Sequence, residues 1–470
     1  MVQAARSAGL AAEMSKGKFG DARLSKRLGR IVEAVLDGPD RSFPSLFDDA
    51  GLEGAYRFFN NDEVTPERIL EPHVTATLAR MAHQPVTLVV HDTSTMSFDP
   101  EGMRQGLGRV RSAGQAFFAH LSLALSGDGS RMPLGVLALS HRIREGDQKK
   151  KSKAKNNPEN ERSRWGRQVK AVGSLGVDRA RVIHLMDREA DDFALFAQLV
   201  DGGDRFVIRL AHDRLLEPTG AEGVQKLTQA VTQIQAVAER EVPLSRRPAG
   251  SRSPQQRRIH PVREGRMAKL AFGSTTVVLR RPSTQPRTLP ATLTLNVVRV
   301  WEIEAPDGES PVEWLLVTTE PVATEQQILQ LVDWYRARWV IEEFFKAIKT
   351  GCAYDTRQLE TLEGLVNVLA TFLPVAWRLL LMRTQARIAP TAKATTVLPK
   401  AMVAVLRVFT RIKLPAHPTA REVLLAVAAL GGHQKNNGDP GWITLARGYE
   451  KLRTLTEGAA ARDSINWSDV

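Results

Sequence analysis

Apolar positions change their period along the chain, and the changes divide it. Between Asp21 and Leu36, the residues Leu24, Leu28, Ile31 and Leu36 recur at near-helical spacing, which predicts a helix within a small helical unit over residues 1 to about 75. From residue 85 the stretch PVTLVVHDTSTMSF is rich in Val and Thr over the length of a strand. Phe117 to Ser126 and Met132 to His141 repeat the strand pattern, and Gly127-Asp128-Gly129-Ser130 between them signals a hairpin. A strongly basic loop is expected over Arg144 to Lys170, running into a helix near Arg162. Strand-like ARVIHLMD then ends at Asp187, DDFALFAQLVDGG reads as a helix with a glycine stop, and RFVIRLA at 205 to 211 as another strand. The order β-β-β-α-β-α-β predicts an α/β fold with a mixed sheet flanked by helices.

Residues 212 to about 313 break this rhythm with a helical piece, an Arg/Pro/Ser-rich stretch from Arg246 to Arg266, and the strand candidates TTVVLRR and LTLNVVRVWEI. That is the pattern of a mostly β insertion. VEWLLVTTE returns to a buried strand, and Thr324 to Lys349 is predicted as one long helix with Thr324 as N-cap and Gly351 just past its end. The last hundred residues are apolar and helical, broken by Pro390, Pro415, Pro418 and Pro440. The expected domains are residues 1–75, a central domain over 76–370 that contains the insertion, and a helical C-terminal domain over 371–470.

Composition narrows the partners. The 470 residues carry 65 Lys and Arg against 52 Asp and Glu, a formal charge of +13, which favours a polyanion and puts nucleic acid first, although a merely basic protein fits the charge equally well. Arg23, Lys26, Arg27 and Arg30 lie on one segment and suit phosphate contact as well as they suit a solvated face. The single Cys352 excludes an intramolecular disulfide and a Cys-clustered zinc site, fits a reducing cytoplasm and is expected to be a spectator. The apolar run Leu365 to Met382 is interrupted by Asn367, Pro374 and Arg378, so no membrane span is expected, and the first residues lack the layout of a secretory signal. The expected location is cytosolic.

Asp92 lies in a strand-like run beside Val89, Val90 and Thr93, where a carboxylate is costly unless paired or bound to metal. Asp187 falls at the end of strand VIHLM, where open α/β sheets present catalytic groups. Either alone is more often a turn or cap residue. On the predicted long helix, at about 100° per residue, Tyr335, Arg338, Glu342, Lys346 and Lys349 fall within a sector of about 80°. Trp334, Ala337, Ile341, Phe344, Phe345 and Ile348 form the apolar face. Ion pairs of Glu342 with Arg338 and Lys346 would explain part of the stripe. They leave unexplained why a tyrosine and three cations line up on one carboxylate, an arrangement that suits a metal-held phosphodiester gripped by cations.

Tyr335, Arg338, Glu342 and Lys349 reproduce the Y-R-E-K spacing of DDE transposases from bacterial insertion sequences, and the chain resembles the IS-four family of the Tn-five type. HDTSTMSF, DREAD at 187 to 191, EWLLVTTEPV with RWVIEEFFKAIKTG, GDARLSKRL, EGAYRFFNN and the terminal LGG, DPGW and GYEKL segments extend the likeness over nearly the whole chain. The resemblance implies a ribonuclease H-like, retroviral-integrase-like core with a β-rich insertion, a helical N-terminal domain that reads transposon ends, and a C-terminal domain that dimerises. It implies that Asp92, Asp187 and Glu342 bind two Mg2+ ions, with Mn2+ able to substitute. Glu343, about 100° round the helix, is the poorer candidate. Tyr335, Arg338 and Lys349, with Lys346, would contact the strand near the cleavage point, and Trp314 would receive a flipped base, a core tryptophan being the competing view. Arg209 and Arg188 stand where phosphate contacts are expected, and Arg23, Arg27 and Arg57 where ends are bound, although Leu24 replaces an expected arginine. The implied partners are double-stranded DNA and a second copy in a synaptic complex, in a bacterial cytoplasm at the nucleoid. The rivals are a nuclease on the same fold without strand joining, and a DNA-binding regulator without catalysis.

Overall fold

Helices come first among the described residues, three of them begun by a side chain that supplies the missing acceptor. The structure, a computed structural model, describes residues 7–99, 104–110, 114–143, 161–218, 225–246, 262–434 and 439–461. Helices α1 (Ser7–Met14), α2 (Ala22–Asp37), α3 (Phe43–Leu46), α4 (Asp49–Phe59) and α5 (Pro66–Ala82) come first. Asp21, Asp48 and Thr65 accept backbone N–H bonds at the starts of α2, α4 and α5. Leu28, Ile31, Val32, Val35 and Leu36 form the buried face of α2, while Leu24 stays half-buried.

The chain divides into two units, residues 1–155 with 339–470, and residues 156–338. In the first, β1 (Thr87–Phe98) runs antiparallel to one edge of β3 (Gly114–Ser126), whose other edge takes β2 (Gly108–Val110) and β4 (Pro133–Arg142). The β3–β4 hairpin lies where the glycines between Ser126 and Met132 predict it. At Gly135 on β4, φ is +150° and a Cβ would stand 1.9 Å from the Thr77 hydroxyl of α5, so only glycine lets helix and sheet approach. Buried His73 of α5 shares a 2.8 Å hydrogen bond with Glu13 of α1 through Nδ1 and accepts Val136 N–H of β4 at Nε2. Arg80 adds bonds to Glu13 and to Leu134 O and lies 4.3 Å from the ring centre of Trp377.

The second unit holds α6 (Arg164–Gly173), β5 (Val182–Met186), α7 (Phe193–Asp201), β6 (Arg205–Arg209), α8 (Leu227–Thr232), β7 (Ala238–Leu244), β8 (Arg266–Arg280), β9 (Thr292–Glu302), β10 (Glu313–Thr318) and α9 (Glu325–Ala337). Strands β5 and β6 are parallel, and β6, β10, β9, β8 and β7 follow as antiparallel neighbours. The expected insertion is therefore largely β, and its strands continue the sheet of β6 and β10. Trp165, Phe193, Phe196, Phe206, Leu295 and Val297 lie at its core. The helix expected near Arg162 is α6, whereas residues 144–160 of the basic loop and 247–261 of the Arg/Pro/Ser-rich stretch lie outside the described residues.

The remaining elements belong to the first unit: α10 (Val340–Lys346), a π-helical turn over Ala347–Gly351, α11 (Leu362–Ile388), α12 (Lys400–Phe409), α13 (Ala420–Leu430) and α14 (Trp442–Ala461). Thr324 to Lys349 is thus not one helix. Thr324 does cap α9, reciprocally with Gln327. At the break, Arg338 N–H bonds to Tyr335 O and Glu342 N–H to Trp339 O, tight three-residue steps that bury Arg338 and expose Trp339. The interruption of the apolar run 365–382 is also corrected: α11 runs 27 residues through Asn367, Pro374 and Arg378, long and apolar enough by composition to cross a membrane. Its most apolar stretch is wholly buried in the protein, as in a core helix. Asn367 is tolerated there because its amide donates to Phe59 O at 3.0 Å and Val64 O at 2.9 Å. The expected boundaries at 75 and 370 fall inside α5 and α11.

Candidate active site

In the second unit, five of the singled-out side chains gather around Asp187. Strand β5 ends at Met186, and Asp187 caps the 3-10 turn Arg188–Ala190 by accepting Glu189 N–H at 2.8 Å. This bond occupies one carboxylate oxygen, Oδ1. Arg209, the last residue of β6, has its guanidinium 5.6 Å from the ring centre of Trp314 on β10. The Trp314 ring meets Tyr335 of α9 edge-on at 5.8 Å. Trp314 is half-buried, at the start of its strand, so it is neither a core tryptophan nor a free one.

The electrostatics bind the group together. Burial lowers the Arg209 pKa, Tyr335 and Asp187 push it up, and Arg188 and Arg338 push it down. Burial raises the Tyr335 phenol above its ordinary value against the opposing pull of Arg338 and Arg209. Arg209 thus lies within electrostatic reach of two other guanidiniums, Arg188 and Arg338, and of the Asp187 carboxylate.

In the first unit, α10 packs against β1, so the elements carrying Glu342 and Asp92 are neighbours. Asp92 is held in β1 opposite Leu121, and its Oδ1 accepts Thr93 N–H at 2.7 Å. His91 and Thr93, on the opposite face of the strand, bond to Ser122 and His120 of β3 at 2.9 and 2.8 Å. Glu343 is engaged on both oxygens, by Lys346 at 3.0 Å and by Arg383 of α11 at 2.7 Å. Burial would raise its pKa, but those two cations hold it below the usual carboxylate value. Lys346 therefore pairs with Glu343, one position from the partner that the helical spacing suggested. Lys349 lies in the π-helical turn, with its ammonium pKa lowered by burial.

The three N-terminal arginines lie on packed helices α2 and α4. Arg23 is 91% exposed and pairs with the cap Asp21 at 2.7 Å, while Arg57 pairs with Glu53 one turn away at 2.5 Å. Arg27 lies across Gly54, where a Cβ would come within 1.9 Å of its guanidinium. Among the described residues, no group of three or more His, Cys, Asp or Glu side chains stands close enough to hold a metal ion. Sequence patterns passed over Asp191, a wholly buried carboxylate joined to His212 and Arg214. Its only signal was a third acid in DREADD ahead of a helix.

The architecture is mixed α/β, and the DDE-domain match over residues 142–373 implies that it is ribonuclease H-like. Residues 7–64 match the transposase DNA-binding family model, and residues 142–373 match that of the transposase DDE domain. Together they take in more than half of the chain, which belongs to the DDE transposases and is an enzyme acting on DNA. The first match includes Arg23, Arg27 and Arg57, and the second includes Asp187 and Glu342 but begins after Asp92. DDE domains work with divalent metal.

Proposed function

We propose that this transposase is a cut-and-paste enzyme of the IS-four, Tn-five type, with Asp92, Asp187 and Glu342 as its metal-binding carboxylates. Hard carboxylate oxygens suit Mg2+, with Mn2+ as a substitute, and the hold of Lys346 and Arg383 on both oxygens of Glu343 argues against Glu343 as a ligand. Two bound ions would activate the attacking oxygen and stabilise the leaving oxygen of an in-line displacement.

The residues around them position DNA. Arg188, Arg209 and Arg338 grip backbone phosphates, Lys346 and Lys349 extend the grip, and Tyr335 braces Trp314, on which an extruded base stacks. Arg23, Arg27 and Arg57 hold the transposon end. Water attacks first, the freed 3′-hydroxyl attacks the opposite strand to form a hairpin, water reopens it, and the same hydroxyl joins target DNA. The enzyme acts as a homodimer in a synaptic complex with double-stranded DNA, in the cytoplasm at the nucleoid.

The supporting observation is the cluster of Arg188, Arg209, Trp314, Tyr335 and Arg338 around Asp187. The test is incubation with the DNA flanking its own gene plus Mg2+, resolved on a denaturing gel. Hairpins and joined strands are expected. Cut ends alone would mean a nuclease, and binding without cleavage would mean a regulator.

A further inference from the structure

We infer that Asp191 is a positioning residue for the Asp187 centre, a clamp that locks the turn carrying Asp187 and Arg188 to the loop that follows Arg209. The inference rests on the proposed role of Asp187. Parallel strands β5 and β6 are in register up to Met186 opposite Ile208. Asp187, just past β5, and Arg209, which still pairs with Leu316 of β10, come next in sequence, so the β5–β6 ladder no longer sets the spacing between them. Asp191 takes over there. It ends the 3-10 turn that Asp187 begins. Its Oδ2 accepts Ala211 N–H and His212 N–H, both at 2.7 Å, and His212 Nδ1–H at 3.0 Å. Its Oδ1 accepts Arg214 Nε–H at 3.0 Å and a second bond from the Arg214 Nη2.

Five donors on one buried carboxylate exceed what capping a turn requires. Arg214 is fixed in turn by lying 5.0 Å from the ring centre of Phe196, a core residue of α7. The clamp thus ties the two segments to the core, and residues that orient a reacting group usually affect its activity roughly ten- to hundredfold.

Two variants separate positioning from mere stability. Asp191→Asn keeps the shape but turns an amide NH2 toward donors. Asp191→Leu with Arg214→Met removes both charges and leaves no buried ion unpaired. Hydrogen exchange of the metal-free protein should show faster exchange at residues 188–190 and 211–212 in both variants, with the rest of the sheet unchanged. Single-turnover cleavage of end DNA should slow about ten- to hundredfold and need several-fold more Mg2+ for half its maximal rate, while end binding stays within about twofold. Unchanged exchange at both segments overturns the clamp, whether or not the wild-type protein cuts DNA. Wild-type rate and Mg2+ dependence in variants that do exchange faster overturn its role at Asp187. A wild-type protein that binds but never cuts would instead refute the proposed function, with the exchange measurement still deciding the clamp.

Discussion

Arg383 of α11 reaches the carboxylate of Glu343 at 2.7 Å, and Lys346 takes the other oxygen of the same group. Glu343 is thereby held in ion pairs, while its neighbour Glu342 is the ligand proposed above. Glu342→Gln is expected to abolish Mg2+-dependent nicking of end DNA while leaving melting temperature and end binding intact. Glu343→Gln should keep cleavage and lose on the order of 1 kcal/mol of stability, since its pairs are partly solvated. The two variants compared by nicking assay and thermal melting decide between them, and nicking by Glu342→Gln would remove Glu342 from the site.

The proposed base-stacking role of Trp314 requires its ring to be held in place, and Tyr335 meets it edge-on. Base–aromatic stacking is worth roughly 1–3 kcal/mol per base. Trp314→Ala should therefore slow hairpin formation by about tenfold or more with little change in the first nick, and Trp314→Phe should recover part of the loss. Equal slowing of both steps would point to a structural role.

Arg23 and Arg57 already hold surface ion pairs, which are weak and easily exchanged for phosphate. Arg23→Ala or Arg57→Ala should weaken end binding and flatten the dependence of log affinity on log salt by about 0.9 for each lost contact. A titration series between low and moderate salt reads this directly. An unchanged slope would exclude that arginine from the backbone contacts.

Burial lowers the pKa of His184 on β5 from 6.5 to about 4, with Arg179 adding to the effect. The folded protein holds this imidazole neutral, so its contribution is complete above the unfolded value of 6.5 and is lost as pH falls from there toward 4. The shift corresponds to roughly 3 kcal/mol. Melting at pH 7.5 and pH 5 should show a smaller acid loss in His184→Leu than in the wild type. Equal losses would mean that His184 titrates normally.

Helices α13 and α14 meet at glycines. A Cβ on Gly448 would stand 1.8 Å from Val427 O, and one on Gly431 1.9 Å from Thr444 O. Gly448→Ala should cost at least about 1–3 kcal/mol by forcing the two backbones apart. The drop should appear in thermal melting of the full chain.

Much of this protein is determined by local sequence. Strand-like runs and helical spacing located β1, β3 to β6 and α2, Thr324 declared itself a cap, and the Asp187 turn follows from an aspartate placed at a strand end. Helical spacing puts the stripe of Tyr335, Arg338 and Glu342 on one helix, whereas Tyr335 lies on α9 and Glu342 on α10, a break that local periodicity does not show. Partners distant in sequence decided the rest. Only the fold shows that Arg383, forty positions away, holds Glu343, and only the loop at 211–214 shows what Asp191 bonds to. The apolar composition of α11 is equally compatible with a bilayer and a protein core, and burial within the fold selected the core. Local patterns encode backbone period and caps, whereas the engagement of a buried charge depends on which donors the fold brings to it.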